Sequence, residues 1–231
     1  MTHCNIALKP GVEPEIFFDQ LIDRLLDEQG KHRYQSITGA LIYLSQVSRY
    51  DILDAINQLA RAMSKPSKAH IGASKHVLLY LARSANFSIT YRRGGFKLKT
   101  YTDANWGGNI DNGKSTSSYI VILTNGPISS KVGLQSLTAQ STMEAELVAA
   151  LTSMKESLFC RNMIMELGFT KGFQSVPVYI DNKSALHEAG SKTFSPRVKY
   201  IALRYFFVQE LVKEGHVIIH FVKTEHQLAE V

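Results

Sequence analysis

The sequence predicts an α/β fold in which a mixed five-stranded sheet is flanked by helices and preceded by a small helical region. Three observations support this prediction. Apolar residues recur at helical spacing in the first part of the chain, and short strands begin after Arg92–Gly95. Beyond that boundary the predicted order is β-β-β-α-β-α-α-β, which gives an antiparallel three-strand meander followed by parallel strands. The 231 residues, 45% of them hydrophobic, are enough for one sizeable core and a smaller appendage.

Three parts follow one another in the chain. Residues 1–30 give weak signals and are interpreted as a loosely ordered leader, although Glu13–Glu28 could form one helix. Residues 31–95 are predicted to form the helical region, and residues 96–231 the α/β domain.

Apolar stripes predict three helices in the helical region. A capping box at Ser48–Asp51 is expected to begin the second helix, which Pro66 ends. The third helix is predicted from about Ser67 to Ser84. The residues predicted to face inward are Tyr34, Ile37, Leu41 and Leu44, then Ile52, Ile56, Leu59 and Met63, then Ile71, Leu78 and Leu81.

The α/β domain begins with a meander. Side chains alternate along Phe96–Asp103, Tyr119–Leu123 is a continuous apolar strand, and Asn125-Gly126 is predicted to supply the two positive-φ positions of a tight turn. The remaining predicted elements are a long helix from Thr142 to Leu167 ended by Gly168, a strand Val176–Ile180, helices over Lys183–Ala189 and Val198–Lys213, and a strand Val217–Val222.

Positive charge is concentrated in the helical region. Residues 31–93 contain ten Lys or Arg and two acids, whereas residues 96–231 contain fourteen and twelve. This asymmetry favours a polyanionic partner such as nucleic acid, with a solvated basic surface as the alternative. The candidate nucleic-acid-binding residues are Lys65, Lys68, Lys75 and Arg83.

Other classes of protein fit the sequence poorly. The two cysteines, Cys4 and Cys160, form no disulfide ladder or zinc motif. No apolar run approaches the roughly 18 residues of a membrane helix, and the first residues do not resemble a secretory signal. We therefore expect an intracellular protein, cytoplasmic or nuclear, without a membrane partner. The sequence does not determine its oligomeric state.

Three acids suggest a catalytic site. Asp103 and Asp181 come at the ends of predicted strands, where reactive groups of open α/β sheets gather, although an Asp there often only forms a turn. The start of the long helix offers two further carboxylates. Glu144 fits a capping box with Ser141, whereas Glu146 lies among small residues that allow its face to approach the sheet. Glu146 is therefore the predicted third site residue.

Clustered carboxylates repel one another unless a counter-charge is present. Hard divalent cations with oxygen ligands remove this conflict, and Mg²⁺ retains water molecules for chemistry. Two such ions about 4 Å apart can activate a water and stabilise the departing oxygen of a phosphodiester. The scarcity of cysteine and the scattered histidines favour Mg²⁺ over zinc.

Five motifs together resemble the ribonuclease H domain of copia-type long-terminal-repeat retrotransposons. They are Tyr101–Trp106, Lys114–Ser117, Gly126–Ser129, Ser141–Glu146 and Tyr179–Ala185. Upstream, Tyr34–Gly39, Arg49–Ile52, His70 and Lys75–Leu81 resemble the stretch that joins the reverse transcriptase of that family to its ribonuclease H. The resemblance covers about residues 31–231, and it implies a ribonuclease H-like sheet with a last helix that is truncated here.

The resemblance implies hydrolysis of RNA in RNA–DNA hybrids, with two Mg²⁺ ions, or Mn²⁺ in their place, held by Asp103, Glu146 and Asp181. Glu230 occupies the position of the family's fourth acid, an Asp, in a final helix that Thr224 and Gln227 could cap.

Several positions depart from the family pattern. Ser118 and Ser130 stand where a Gly and a Trp are usual, and Lys199–Phe207 lacks two His and one Asp of the family's run. A decayed or co-opted fragment that binds nucleic acid without turnover therefore stays open as a second hypothesis. An integrase-like nuclease is a third, which the absence of a zinc-binding His/Cys module disfavours.

Overall fold

The computed structural model describes residues 25–92, 94–109, 112–170, 172, 175–182 and 202–229. The chain divides into two compact units between Ile89 and Thr90. The helices of the first unit are α1 (Glu28–Val47), α2 (Leu53–Arg61) and α3 (Lys68–Arg83). The elements of the second unit are β1 (Leu98–Asn105), β2 (Thr116–Leu123), β3 (Gly126–Leu134), α4 (Thr142–Glu166), β4 (Val176–Ile180), α5 (Ala202–Lys213) and β5 (Val217–Phe221). Among the described helices, none combines the length and the apolar character that crossing a membrane requires.

The first helix begins inside the segment interpreted as a leader. Asp27 caps α1 by accepting a hydrogen bond from the Gly30 N–H at 2.8 Å, which satisfies one of the unpaired donors of the first turn. The Leu26 N–H donates to the Pro66 carbonyl at 3.0 Å, so this start is joined to the α2–α3 connection. Residues 1–24, the rest of the predicted leader, lie outside the described residues.

The three helices of the first unit enclose their own core. Ile52, Ile56 and Leu59 are buried, as their spacing predicts, and they pack with Tyr34 of α1 and Val77 of α3. The Tyr34 hydroxyl donates to the Leu59 carbonyl at 2.7 Å, so a buried polar tip is satisfied while its ring fills the core. The stripe predicted for the second helix is therefore confirmed at these three positions.

Two predictions for this unit are wrong. Ser48 does not cap α2; it ends α1, and a 3₁₀ turn at Tyr50–Ile52 leads into α2 without a side-chain cap. Leu78 is 41% exposed, because α3 turns Ala73, Val77 and neighbouring polar residues towards the core instead. Small side chains on this face allow the helices to approach closely. A prediction from the spacing of apolar residues does not take this effect of side-chain size into account.

The second unit contains one mixed sheet in the order β3-β2-β1-β4-β5. The pairs β1–β2 and β2–β3 are antiparallel, whereas β1–β4 and β4–β5 are parallel. The predicted meander with parallel strands beside it is therefore confirmed. The predicted helix over Lys183–Ala189 and residues 198–201 of the next one lie outside the described residues.

Helix α4 packs across this sheet. Val121, Met154, Val178 and Val208 are fully buried in the shared core. Burial of each such side chain contributes about 1.5–3 kcal/mol relative to leaving it exposed. The hydroxyls of Thr100 on β1 and Ser157 on α4 lie 2.6 Å apart, so a buried hydrogen bond sets the position of the helix on the central strand.

The β2–β3 turn is present, but different residues shape it. Thr124 has the positive φ, 61°, whereas Asn125 and Gly126 do not. A β-branched residue rarely adopts this conformation, and here the Thr124 hydroxyl donates to the Gly95 carbonyl at 2.9 Å. Gly126 is required for another reason, because a Cβ at that position would collide with the Tyr91 ring.

Candidate metal centre

The parallel pairing of β1 and β4 positions two of the three acids. Tyr101 pairs with Tyr179 across these strands, so the residues two positions further on, Asp103 and Asp181, emerge side by side at the same end of the sheet. Asp103 is 9% exposed and sits within β1, opposite Ser118 of β2. Asp181 directly follows β4 and is partly exposed.

The third acid comes from the first turns of α4. Ser141 caps this helix by accepting from the Glu144 N–H at 3.2 Å, as predicted. The Glu144 carboxylate reaches back one residue further than a capping box does, and accepts from the Gln140 N–H at 2.7 Å. Glu144 thus has a structural task, while Glu146 is 5% exposed and turned towards the aspartates.

Asp103, Glu146 and Asp181 form one cluster. Each offers a carboxylate oxygen, and these oxygens all lie within 4.8 Å of one another. Burial raises the pKa of Glu146 to about 8, and the negative charges of Asp103 and Asp181 add to the shift. The backbone N–H of Ala104 donates to Glu146, and this hydrogen bond acts in the other direction by lowering the pKa of Glu146. At neutral pH the cluster therefore retains a proton unless a cation replaces it.

The buried Oε2 atom of Glu146 has no hydrogen-bond partner among the described residues. A buried carboxylate oxygen without a hydrogen-bond partner costs about 1–3 kcal/mol or more, and coordination to a cation would offset this cost. Three anionic oxygen donors without Cys or His suit a hard divalent cation such as Mg²⁺ or Mn²⁺. The residues present thus fit the predicted metal, and the ligand roles of these three acids stay a prediction.

No protein-family model matches the chain. Curated relatives do. The chain is 34% identical over 198 residues to the retrovirus-related Pol polyprotein from transposon RE1 of Arabidopsis thaliana, a match that covers 85% of this chain. It is 32% identical over 208 residues, 89% of this chain, to the corresponding polyprotein from transposon TNT 1-94 of Nicotiana tabacum. The chain belongs to the retrovirus-related Pol polyproteins of transposons. This Pol segment spans only 13% and 16% of the length of those two relatives.

Solved structures resemble this Pol segment in fold. A foamy viral protease-reverse transcriptase, described in complex with double-stranded DNA, matches with a TM-score of 0.53 and 18% identity over 96% of this chain and 36% of that chain. The N-terminal RNase H domain of a Mycobacterium tuberculosis protein matches with a TM-score of 0.41 and 13% identity over 58% of this chain and 86% of that chain. The predicted family resemblance is confirmed by these relatives, and the predicted mixed five-stranded sheet is confirmed by the strand order.

The last described residues of the Pol segment lie beside the acidic cluster. Thr224 donates its hydroxyl proton to Asp181 Oδ2 at 3.0 Å. Gln227 is buried and donates to the Thr102 carbonyl at 2.9 Å, next to Asp103. The Ser118 hydroxyl donates to the Ala229 carbonyl, so Ser118 helps to hold this segment.

The structure corrects the capping role predicted for Thr224 and Gln227. Thr224–His226 is a 3₁₀ turn without a side-chain cap; the Thr224 hydroxyl bonds to Asp181 instead, and the Gln227 amide bonds to the Thr102 carbonyl of β1. Sequence reasoning thus missed the contact of Thr224 with Asp181 and that of Gln227 with Thr102, and only the proximity of both residues to Glu230 in the sequence hinted at them. Glu230, the predicted fourth acid, lies outside the described residues.

The predicted nucleic-acid-binding residues belong to the first unit of this Pol segment. Lys65 follows α2, while Lys68 begins α3, Lys75 lies two turns further on, and Arg83 ends that helix. All four side chains are exposed. Lys68 and Lys75 are seven residues apart, so they lie on the same side of α3.

Proposed function

We propose that the chain hydrolyses the RNA strand of RNA–DNA hybrids, using divalent cations held by Asp103, Glu146 and Asp181. The observation that carries this proposal is the convergence of three carboxylates whose oxygens lie within 4.8 Å of one another, with one buried oxygen unpartnered. Membership of the Pol polyproteins and the ribonuclease H-like sheet support it. Glu230 is proposed as the fourth acid on the family resemblance alone.

The residues of the chain perform distinct tasks in this proposal. Bound divalent ions would supply activation of a water molecule and stabilisation of the departing phosphodiester oxygen. Asp103 and Glu146 offer buried oxygens in a fixed arrangement, which reduces the cost of ordering them. Thr224 orients Asp181 through its 3.0 Å hydrogen bond, as the outer partners of metal ligands do.

A second function is nucleic-acid binding without turnover. The exposed cations Lys65, Lys68, Lys75 and Arg83 favour it, together with the excess of basic residues in the helical region. Binding of this kind depends on phosphate contacts and therefore weakens steeply as salt rises. It does not require the acidic cluster.

A cleavage assay separates the two functions. With a labelled RNA–DNA hybrid and Mg²⁺ or Mn²⁺, we expect Asp103→Asn to lower the rate by more than about a hundredfold, since even outer partners of metal ligands cost about 10–100-fold. Glu144→Gln is the matched control, because Glu144 only accepts a backbone hydrogen bond at the helix start. If the unmodified chain and Asp103→Asn are equally inert while both retard the hybrid in a low-salt gel, binding without turnover replaces hydrolysis.

A further inference from the structure

A basic cavity lies between α4 and the β2–β3 hairpin of the second unit. Its volume is about 290 Å³, and its charged lining residues are Lys131 of β3, Lys155 of α4 and Arg204 of α5. No Asp or Glu lines it among the described residues. Three cations that converge on one concave surface create a positive potential, which attracts anions.

These cations have no acidic partners within the described parts of the chain: none of the ion pairs found there involves Lys131, Lys155 or Arg204. The nearby carboxylate of Glu156 accepts a hydrogen bond from the Ser129 hydroxyl at 2.8 Å. Lys155 lies over the Phe207 ring, with Nζ 5.6 Å from the ring centre, which holds the ammonium group beside the cavity. The positive charge is thus available to a ligand.

The wall of the cavity continues to the acidic cluster. Gln135 donates from Nε2 to the Ser117 hydroxyl oxygen at 2.7 Å and to the Ala145 carbonyl at 2.8 Å. Ser117 pairs with Ala104, the residue after Asp103, and Ala145 directly precedes Glu146. Because Ser117 accepts from Gln135, its own O–H remains able to donate to an anion. The hydrogen bonds of Gln135 therefore connect the lining of the cavity to residues next to the acidic cluster.

We propose that this cavity binds a backbone phosphate of the same nucleic acid that the acidic cluster engages. Lys and Arg are the side chains that recognise phosphate, and the hydroxyls of Ser117 and Ser136 add neutral hydrogen-bonding groups. Lys155 follows Glu146 by nine residues, or about 14 Å of helix rise. A strand with about 3.4 Å per nucleotide covers that length in about four steps. The cavity thus anchors the strand a few nucleotides from the acids.

The inference rests on the proposed nucleic-acid binding, and it is tested by the salt dependence of affinity. Binding of a fluorescein-labelled RNA–DNA hybrid to the full chain is measured by anisotropy in a chelator, so that no cleavage occurs. The double variant Lys131→Gln/Lys155→Gln is compared with Lys97→Gln/Lys213→Gln. The control pair removes the same charge from exposed positions of the same unit outside the cavity. Thermal melting verifies that both variants fold.

Loss of the one phosphate contact made by the cavity lowers the slope of log affinity against log salt by about 0.9, while the control retains the slope of the unmodified chain. With equal binding near 1 M salt, that change corresponds to about eightfold weaker binding near 0.1 M. Equal slopes for the two double variants overturn the cavity as a phosphate site and leave the proposed function intact. If the unmodified chain itself does not bind the hybrid at low salt, both proposals fail.

Discussion

The titration of Glu146 provides a direct test of how the acidic cluster is organised. Burial and the two neighbouring aspartates raise its pKa from 4.5 to about 8, so the folded chain without metal holds a proton that the unfolded chain releases. We expect Glu146→Gln, which replaces the carboxylate by a neutral group of the same shape, to remove this dependence on pH.

The free energy of unfolding depends on pH because the folded and unfolded states bind different numbers of protons. A raised pKa contributes stability that is fully present below the unfolded value of 4.5 and is lost as the pH rises through about 8. Between these values the folded state binds one more proton, so stability falls by about 1.4 kcal/mol per pH unit. Near pH 7 the accumulated loss is about 3 kcal/mol, an order-of-magnitude figure for a group that is 5% exposed.

Urea unfolding in a chelator, repeated at several values between about pH 5 and pH 8, measures the effect. The stability of Glu146→Gln relative to the unmodified chain should increase with pH, by about 3–4 kcal/mol across this range. Glu144→Gln, which changes a carboxylate on the same helix turn outside the cluster, should follow the unmodified chain. Adding Mg²⁺ should stabilise the unmodified chain more than Glu146→Gln, because ligand binding to the folded state alone stabilises it.

The amide introduced by Glu146→Gln has a burial cost that is the same at every pH. It therefore does not affect the comparison, which uses only the slopes of the unfolding free energy against pH. Parallel pH profiles for the unmodified chain and Glu146→Gln would show that Glu146 is ionised in the folded state or lies outside the cluster. In either case the electrostatic argument for a cation at this site would be refuted.

Two further predictions concern the segment that follows β5. Thr224→Val removes the hydrogen bond to Asp181. The Mg²⁺ concentration that gives half-maximal hybrid cleavage should rise by up to about tenfold, while the urea midpoint of unfolding stays unchanged. An unchanged Mg²⁺ concentration at half-maximal cleavage would exclude a positioning role for Thr224. Gln227→Ala removes the buried hydrogen bond to the Thr102 carbonyl and should lower the free energy of unfolding by about 1–3 kcal/mol, whereas Gln209→Ala on α5 should cost less. Equal effects of the two substitutions would contradict the docking of this segment on β1.

Much of the fold could be predicted because its signals are local. Strand alternation and helical periodicity located β4 and most of α4, and Gly168 with its positive φ ends that helix as expected. The error at the hairpin turn has a non-local cause. Thr124 rather than Asn125 shapes the hairpin turn, because Tyr91 and Gly95, far away in the sequence, hold the turn residues.

Local sequence patterns were sufficient for the element order, the strand-end aspartates and the choice of Glu146 over Glu144, since each follows from periodicity and capping within a few residues. The meeting of three acids with oxygens within 4.8 Å depends on tertiary packing, and so does the buried Glu146 oxygen that lacks a hydrogen-bond partner among the described residues. The same holds for Gln227, whose bond to Thr102 joins residues 125 positions apart. Such proximity arises from the packing of α4 and the last segment on the sheet, a long-range balance of burial and hydrogen bonding that no local pattern encodes.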